Sequence, residues 1–143
     1  MTDRALLLAA GIFAASTAFG AAVSVKEDVR GEPLGIEVPG SVGMHLAAGW
    51  GSGLTAPWPM PALALGAAVS ADPEARWVRP TFAGLGTAIL VGTIIEPVTW
   101  GRRARSPLTA AAVALNLLAA ASLLAAGRIK ATHTPHPLAG SRP

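Results

Sequence analysis

The sequence predicts an all-α membrane protein with four transmembrane helices in an up-down bundle, the second of them broken by glycine and proline. Hydrophobic residues make up 52% of the 143-residue chain and charged residues only 13%, whereas ordinary soluble domains carry about 25% charged residues. The charged residues are also gathered in short clusters separated by long apolar tracts. These two observations predict a transmembrane domain over residues 1–128, with spans at about 5–25, 42–71, 79–98 and 107–127, and a disordered polar tail over residues 129–143.

The first span is an uncharged tract from Ala5 to Val25. As a helix it would be about 31 Å long, which matches a hydrocarbon core about 30 Å thick. A cleaved signal peptide is the alternative, with Arg4 as its basic region. We favour a membrane span because the tract is longer than the roughly 7–15 apolar residues of a typical signal peptide.

The second tract, residues 41–71, has no formally charged side chain, but a straight helix of that length would be about 46 Å long, too long for one perpendicular crossing. Prolines at 57, 59 and 61 predict a break, because proline lacks a backbone donor and disfavours helical geometry before it. The stretch GWGSG at 49–53 adds flexibility. The tract either crosses in two pieces or re-enters, and we prefer the crossing. Broken backbone at membrane depth needs shelter, so the break is a candidate edge of a ligand site, with a kinked helix as the competing interpretation.

The third span begins near Pro80, whose fixed φ suits a first helical turn. Trp77 and Trp100 bracket the span, as expected of aromatic residues at the two membrane interfaces. Small residues at four-residue spacing form a stripe that predicts close approach of another helix, either within the chain or in a homo-oligomer or membrane complex. The stripe consists of Gly84, Ala88 and Gly92.

The fourth span begins at Ser106 and Pro107, a good N-cap and first-turn pair, and ends near Gly127. Asn116 is the only amide in this span. A hydrogen bond to a neighbouring helix is the preferred interpretation of Asn116, and a contact with substrate is the alternative.

The expected location is the cell membrane, with multiple crossings and both termini in the cytoplasm. Basic residues next to apolar spans mark the cytoplasmic side. With four crossings, the two sides carry nearly equal numbers of basic residues, so this orientation depends on a small excess on the side of the termini.

The candidate ligand-binding residues lie mainly at one end of the predicted bundle. The second span starts on the side where the third ends, so His45 and Glu96 should lie at similar depth. A partly desolvated Glu96 would carry or sense a proton, or bind a cationic or hydrogen-bonding ligand with His45. The competing interpretation places Glu96 among lipid headgroups, opposite a basic side chain such as Arg102. The remaining candidates are Trp50, Trp58 and Asn116.

The predicted function is non-enzymatic: small-molecule binding, transport or an accessory role, with a pocket near Glu96 and His45. Two alternatives stay open. One is a membrane-embedded enzyme acting on a lipid or isoprenoid, with Glu96 and His45 as acid and base, and the other is a purely structural subunit of a membrane complex. A cavity that reaches these residues and the break at 57–61 would favour binder or enzyme, whereas a dry bundle would favour the subunit.

No cofactor and no metal site are predicted. The chain has no cysteine, and His45 with Glu96 supplies two ligands where zinc sites use three or four. His133 and His136 fall in the tail, on the predicted opposite side from His45, which argues against a haem held by two histidines. No basic face with interleaved aromatic residues is present, so the lipid bilayer, and not nucleic acid, is the expected partner.

Overall fold

The computed structural model describes residues 3–70, 72, 75–102 and 106–128. These residues form α-helices joined by loops and two short 3₁₀ helices, Pro33–Gly35 and Pro97–Trp100, and no β-strand occurs among them. The α-helices are α1 (Arg4–Glu27), α2 (Val42–Ala47), α3 (Pro59–Ser70), α4 (Val78–Ile95) and α5 (Pro107–Arg128). The predicted disordered tail lies outside the described residues, as do His133, His136, Arg103 and Arg105.

Among the described helices, α1, α4 and α5 are long and apolar enough to cross a membrane. Their 24, 18 and 22 residues correspond to lengths of about 36, 27 and 33 Å, close to the thickness of the hydrocarbon core. The prediction of a helical membrane protein is therefore confirmed at the level of three candidate spans.

The tract 42–71 does not form one long helix. It forms the 6-residue α2 and the 12-residue α3, with irregular backbone between Ala47 and Pro59. The helix α3 alone would be only about 18 Å long, less than a full crossing. The uninterrupted hydropathy of this tract therefore predicts more helix than the structure contains.

The helix α4 ends at Ile95, earlier than the predicted boundary near residue 98. Glu96 has extended backbone, with φ −79° and ψ 128°, because proline disfavours helical geometry at the residue before it. Pro97 then starts the second 3₁₀ helix. At the next helix the predicted cap is present, since Ser106 Oγ accepts hydrogen bonds of 3.1 Å from the backbone N–H groups of Leu108 and Thr109.

A cluster of hydrogen bonds joins the starts of α1 and α4 to the end of α5. One Asp3 carboxylate oxygen caps α1 by accepting from Ala5 N at 2.8 Å. The other oxygen pairs with Arg79 at 2.8 Å, and Arg79 also donates to the Ala126 carbonyl at 2.9 Å. The helices α1 and α4 therefore start at the same end of the molecule, and α5 runs in the opposite direction.

The helix α4 packs most extensively against α5. This close approach depends on Gly86, where an added Cβ would lie 2.9 Å from both the Ala120 carbonyl oxygen and the Leu124 nitrogen. The predicted stripe lies elsewhere on α4: Ala88 is exposed, and a Cβ on Gly84 or Gly92 would meet nothing within 4 Å. Within this chain, the stripe therefore does not form the contact with the last helix.

Candidate functional site

The irregular backbone between α2 and α3 contains a tight turn, residues 52–55, which we call the Ser52–Thr55 turn. Ser52 N donates to the Thr55 carbonyl at 3.0 Å, and Thr55 N donates back to the Ser52 carbonyl at 3.3 Å. The chain reaches this turn through Gly49 and Gly51, whose φ angles of +83° and +84° are readily adopted by glycine. The GWGSG stretch is thus what permits the sharp reversal.

The tip of the turn is inserted between α1 and α5. Leu54 is fully buried there, and its carbonyl accepts a 2.9 Å hydrogen bond from Asn116 Nδ2. Asn116 Oδ1 in turn accepts from Ser16 Oγ of α1 at 2.7 Å. Gly20 makes room for the tip, because a Cβ at this position would overlap the Leu54 carbonyl. Asn116 therefore makes the predicted hydrogen bond to a neighbouring helix and also holds the turn.

Two further hydrogen bonds attach the turn to α1. Thr55 Oγ1 donates to the Thr17 carbonyl at 3.0 Å, and the hydroxyls of Ser52 and Ser24 share a 2.6 Å hydrogen bond. Buried polar groups require partners, and here Asn116 supplies one for the Leu54 carbonyl while α1 supplies them for the hydroxyls of Ser52 and Thr55. The turn is therefore a fixed part of the fold in spite of its irregular backbone.

Beside the turn lies a cavity of about 330 Å³ that we call the Glu96 cavity. Its walls come from the turn, the start of α3, the second half of α4 and Asn116 of α5. Most of the lining is apolar, and the polar side chains are Ser52, Thr55, Thr93, Glu96 and Asn116. The cavity also reaches Pro57 and Met60 in the predicted break. Glu96, Trp50 and Asn116 are thus the predicted candidates that the structure brings to this cavity.

Glu96 stands directly after the end of α4, half-buried. Its Oε2 accepts a 3.0 Å hydrogen bond from the backbone N–H of Glu32. Burial raises the pKa of the Glu96 carboxyl above its ordinary value, the Glu32 N–H opposes that rise, and the negative charge of the Glu32 carboxylate adds to it. In the described part of the chain, no ion pair joins Glu96 to Arg102, and Arg102 is exposed.

His45 is buried, with 4% of its surface exposed. Its Nε2 lies 2.7 Å from the Pro39 carbonyl, so this nitrogen carries the proton and donates it. His45 and Glu96 both line a second cavity of about 160 Å³, together with Trp50 and Ser52. The structure therefore brings the two residues to a common space, but no hydrogen bond joins them.

A third cavity, of about 210 Å³, also has Glu96 in its lining and is rich in acids. Among its described lining residues the basic one is Arg30, which pairs with Asp28 at 3.5 Å and with Glu37 at 2.7 Å. The acidic residues in its lining are Glu27, Asp28, Glu32 and Glu96. Acidic residues therefore outnumber basic ones in the described lining of this cavity.

Trp58 does not line the Glu96 cavity, although its neighbour Pro57 does. It lines a separate apolar groove of about 420 Å³ between α1 and the α2–α3 region. The groove also contains Thr17, whose buried hydroxyl has no hydrogen-bond partner within the described ranges. Trp58 and Arg102 are thus the two predicted candidates that fall outside the Glu96 cavity and the His45 space.

Sequence reasoning missed several polar members of the site. Thr93 lies in the last turn of α4, three residues before Glu96, and this closeness in sequence was an available signal. Ser52 and Thr55 belong to a stretch that sequence reasoning treated only as a break, and their role depends on partners far away in the chain. In the ranges that the structure covers, no group of three or more His, Cys, Asp or Glu residues is arranged to hold a metal ion.

Comparisons with protein-family models, curated proteins and solved structures gave no match to this chain.

Proposed function

We propose that this protein is a non-enzymatic membrane protein that binds a small molecule in the Glu96 cavity, in a transport or accessory role. The observation that carries the proposal is a half-buried carboxylate at the edge of a largely apolar cavity, directly after the end of a candidate membrane span. An ionisable group at membrane depth costs free energy, and such groups commonly mark sites where a substrate or an ion binds. A purely structural subunit is less well supported, because the sequence analysis expected a dry bundle in that case.

The alternative of an enzyme with Glu96 and His45 as acid and base has less support. A catalytic acid and base must each reach a proton on the substrate. The His45 Nε2–H is already donated to Pro39, and His45 and Glu96 have no direct hydrogen bond to each other. Binding without chemical change therefore fits the site better than acid–base catalysis.

We also infer that the chain crosses the membrane four times, with the second crossing made of α2, the Ser52–Thr55 turn and α3. The support is the ion pair between Asp3 and Arg79, because two parallel spans that start at the same end need a return path between them. The turn packs against α1 at Gly20 and is hydrogen-bonded to Ser24 of α1. These contacts favour a first span that is retained over a signal peptide that is cleaved. With both termini cytoplasmic in the cell membrane, Glu96 would lie near the opposite face.

Single cysteines test this topology cleanly, because the chain has none of its own. Ile36→Cys and Arg76→Cys both replace exposed residues. Four crossings predict that a membrane-impermeant maleimide labels them from opposite sides of the membrane. Labelling from the same side would support a re-entrant segment instead.

The binding proposal is tested with cavity-filling variants of the purified protein in nanodiscs. Gly92 lines the cavity, and an added Cβ meets nothing within 4 Å, so Gly92→Leu should fill the space without a backbone clash. Gly11→Leu is the matched control, because Gly11 is exposed on α1 and equally uncrowded. Small molecules that co-purify are extracted and identified by mass spectrometry.

Under the proposal, the wild type and Gly11→Leu retain a small molecule that Gly92→Leu has lost, and the molecule is recovered unchanged after incubation. Chemical conversion of the molecule by the wild type would support the enzyme. Equal retention by all three proteins, or none at all, would support the structural subunit.

A second copy of the chain, or another membrane subunit, is the proposed partner for the stripe of Gly84, Ala88 and Gly92, with the contact centred on Gly84, which unlike Ala88 and Gly92 does not line the Glu96 cavity. The stripe is not covered by the described part of this chain, and small residues allow close helix approach in membranes. Gly84→Leu should then convert a dimer in nanodiscs or detergent to a monomer, as judged by light scattering. A wild type that is already monomeric would remove this partner.

A further inference from the structure

We propose that the Glu96 cavity takes a lipophilic amine in its protonated form, which enters sideways from the bilayer through the gap between α3 and α4. This inference rests on the proposed binding function and adds the chemical class of the ligand and its route. It depends on the partners of the polar groups in the site, the charge of Glu96, and the position of the opening.

Most polar groups that line the cavity already have partners in the protein. Asn116 is bonded through both its oxygen and its nitrogen, and the hydroxyls of Ser52 and Thr55 are bonded to α1. Glu96 Oε2 accepts from Glu32 N, whereas Oε1 makes no hydrogen bond within the described residues. A carboxylate oxygen can only accept, so the ligand that fits it is a hydrogen-bond donor.

The charge of Glu96 itself selects a cation among such donors. Within the described residues no ion pair joins Glu96 to a basic side chain, and an anionic ligand would be repelled by this carboxylate. A protonated amine would supply both the donor and the opposite charge, and such charge-assisted hydrogen bonds are about twice as strong as neutral ones.

The remaining walls fit an apolar body with a cationic head. Met60, Ile89 and Ile95 line the cavity beside the carboxylate. Trp50 lines both the Glu96 cavity and the His45 space, and 71% of its surface is exposed. An indole ring at the rim attracts a cation through its π face.

The opening lies on the side of the bundle. The helices α3 and α4 make few contacts with each other, and the cavity lies between Met60 on α3 and Ala88 and Gly92 on α4. Ala88 is exposed and no side chain covers Gly92. Because α4 is a candidate membrane span, this opening lies at the depth of the lipid chains, and a ligand that first dissolves in the bilayer reaches it directly.

Radiolabelled dodecylamine is a suitable probe, with dodecanol as the neutral analogue of the same chain length. Binding is measured at pH 8 to the protein in phosphatidylcholine nanodiscs, after subtraction of uptake by empty nanodiscs. The amine remains protonated at this pH, since alkylammonium groups such as that of lysine have pKa values near 10.4. The variants are Glu96→Gln, Gly92→Leu and the control Gly11→Leu.

The expected result is saturable binding of dodecylamine at least about tenfold tighter than that of dodecanol. Glu96→Gln should remove most of this preference while dodecanol binding stays the same. Gly92→Leu should reduce binding of both molecules, and Gly11→Leu of neither.

Equal affinity for dodecylamine and dodecanol would overturn the cationic ligand class, and so would a preference that survives in Glu96→Gln. Neither result would affect the proposed binding function, because the cavity would still be occupied. Absence of saturable binding for both probes would also overturn the lipophilic-amine inference. The binding function itself would fail only if Gly92→Leu also changed nothing in the co-purification experiment.

Discussion

Gly20→Ala should destabilise this protein although alanine is the better helix former. Gly20 lies inside α1, where the tip of the Ser52–Thr55 turn contacts the helix. An added Cβ would overlap the Leu54 carbonyl oxygen and lie 3.0 Å from the carbonyl carbon. Both atoms belong to backbone that Asn116 holds in place, so no side-chain rotation relieves the clash and the turn must move.

The size of the effect follows from the contacts that the turn makes. Overpacking of a well-packed interior costs about 1–3 kcal/mol. Displacement of the turn also weakens the hydrogen bonds Asn116–Leu54 and Thr55–Thr17, each contributing about 0.6 kcal/mol between membrane helices. Replacement of glycine by alanine in a helix returns about 1 kcal/mol. The expected net loss in free energy of unfolding is about 1–3 kcal/mol.

Gly11→Ala in the same helix provides the matched control. Gly11 is exposed and a Cβ there meets nothing within 4 Å, so this variant gains the helix propensity without a clash. The two variants should differ by about 2–4 kcal/mol. Unfolding by SDS in mixed micelles, followed by tryptophan fluorescence, measures the difference. Equal stability of Gly20→Ala and Gly11→Ala would refute the insertion of the turn against α1.

Three further outcomes follow from the contacts at the two ends of the molecule. Arg79→Gln should lower the free energy of unfolding by about 1.5–3 kcal/mol, because hydrogen bonds to a charged group are lost. The control Arg76→Gln, at an exposed position, should change the free energy of unfolding little. Equal effects of the two variants in the same SDS titration would contradict the role of Arg79 in joining three helices. Glu96→Gln should be at least as stable as the wild type at pH 8, since an amide oxygen still accepts from the Glu32 N–H and carries no charge to desolvate. A carboxyl whose pKa is raised in the folded state stabilises the fold more as it becomes protonated. The stability advantage of Glu96→Gln over the wild type should therefore shrink as pH falls through that pKa. A series of thermal melts in which the advantage grows as pH falls would contradict the burial of the charge. Binding of dodecylamine should weaken over the same fall in pH, because protonation of Glu96 removes the negative partner, and pH-independent affinity would point to another site.

The three long helices could be predicted because their determinants are local. An uncharged tract of sufficient length defines α1, and the pair Ser106 and Pro107 fixes the start of α5. The end of α4 at Ile95 could also have been predicted, since Pro97 disfavours helical geometry at Glu96. In each case the residues that decide the boundary lie within a few positions of it.

The interior of the second tract could not be predicted, because its determinants are distant in sequence. Apolar residues at 48–58 are compatible with helix or with irregular backbone. The choice depends on polar partners elsewhere, namely Asn116 for Leu54 and the Thr17 carbonyl for Thr55. Hydropathy and proline positions indicate that a break exists, but not that only a short α2 precedes it.

The candidate site could likewise be predicted only in part. The order of the spans was enough to expect Glu96 and His45 at one depth, and both line a common cavity. The stripe of Gly84, Ala88 and Gly92 predicted close approach of another helix without saying which one, because spacing alone does not reveal which face of α4 meets α5. Gly86 forms that contact, and the stripe is left beside the opening of the cavity.

The distribution of packing in this fold explains how a small bundle keeps an open site. The helices α1, α4 and α5 pack closely with one another, and the Ser52–Thr55 turn is fixed to this group by hydrogen bonds from Ser24 and Asn116. Under the proposed binding function, little conformational entropy would be lost in this closely packed group when a ligand binds. The helix α3 packs against α1 more than against α4, so the proposed entry between α3 and α4 would leave the packed group undisturbed. A variant that closes this gap, such as Gly92→Leu, should consequently reduce binding while leaving the stability of the bundle unchanged.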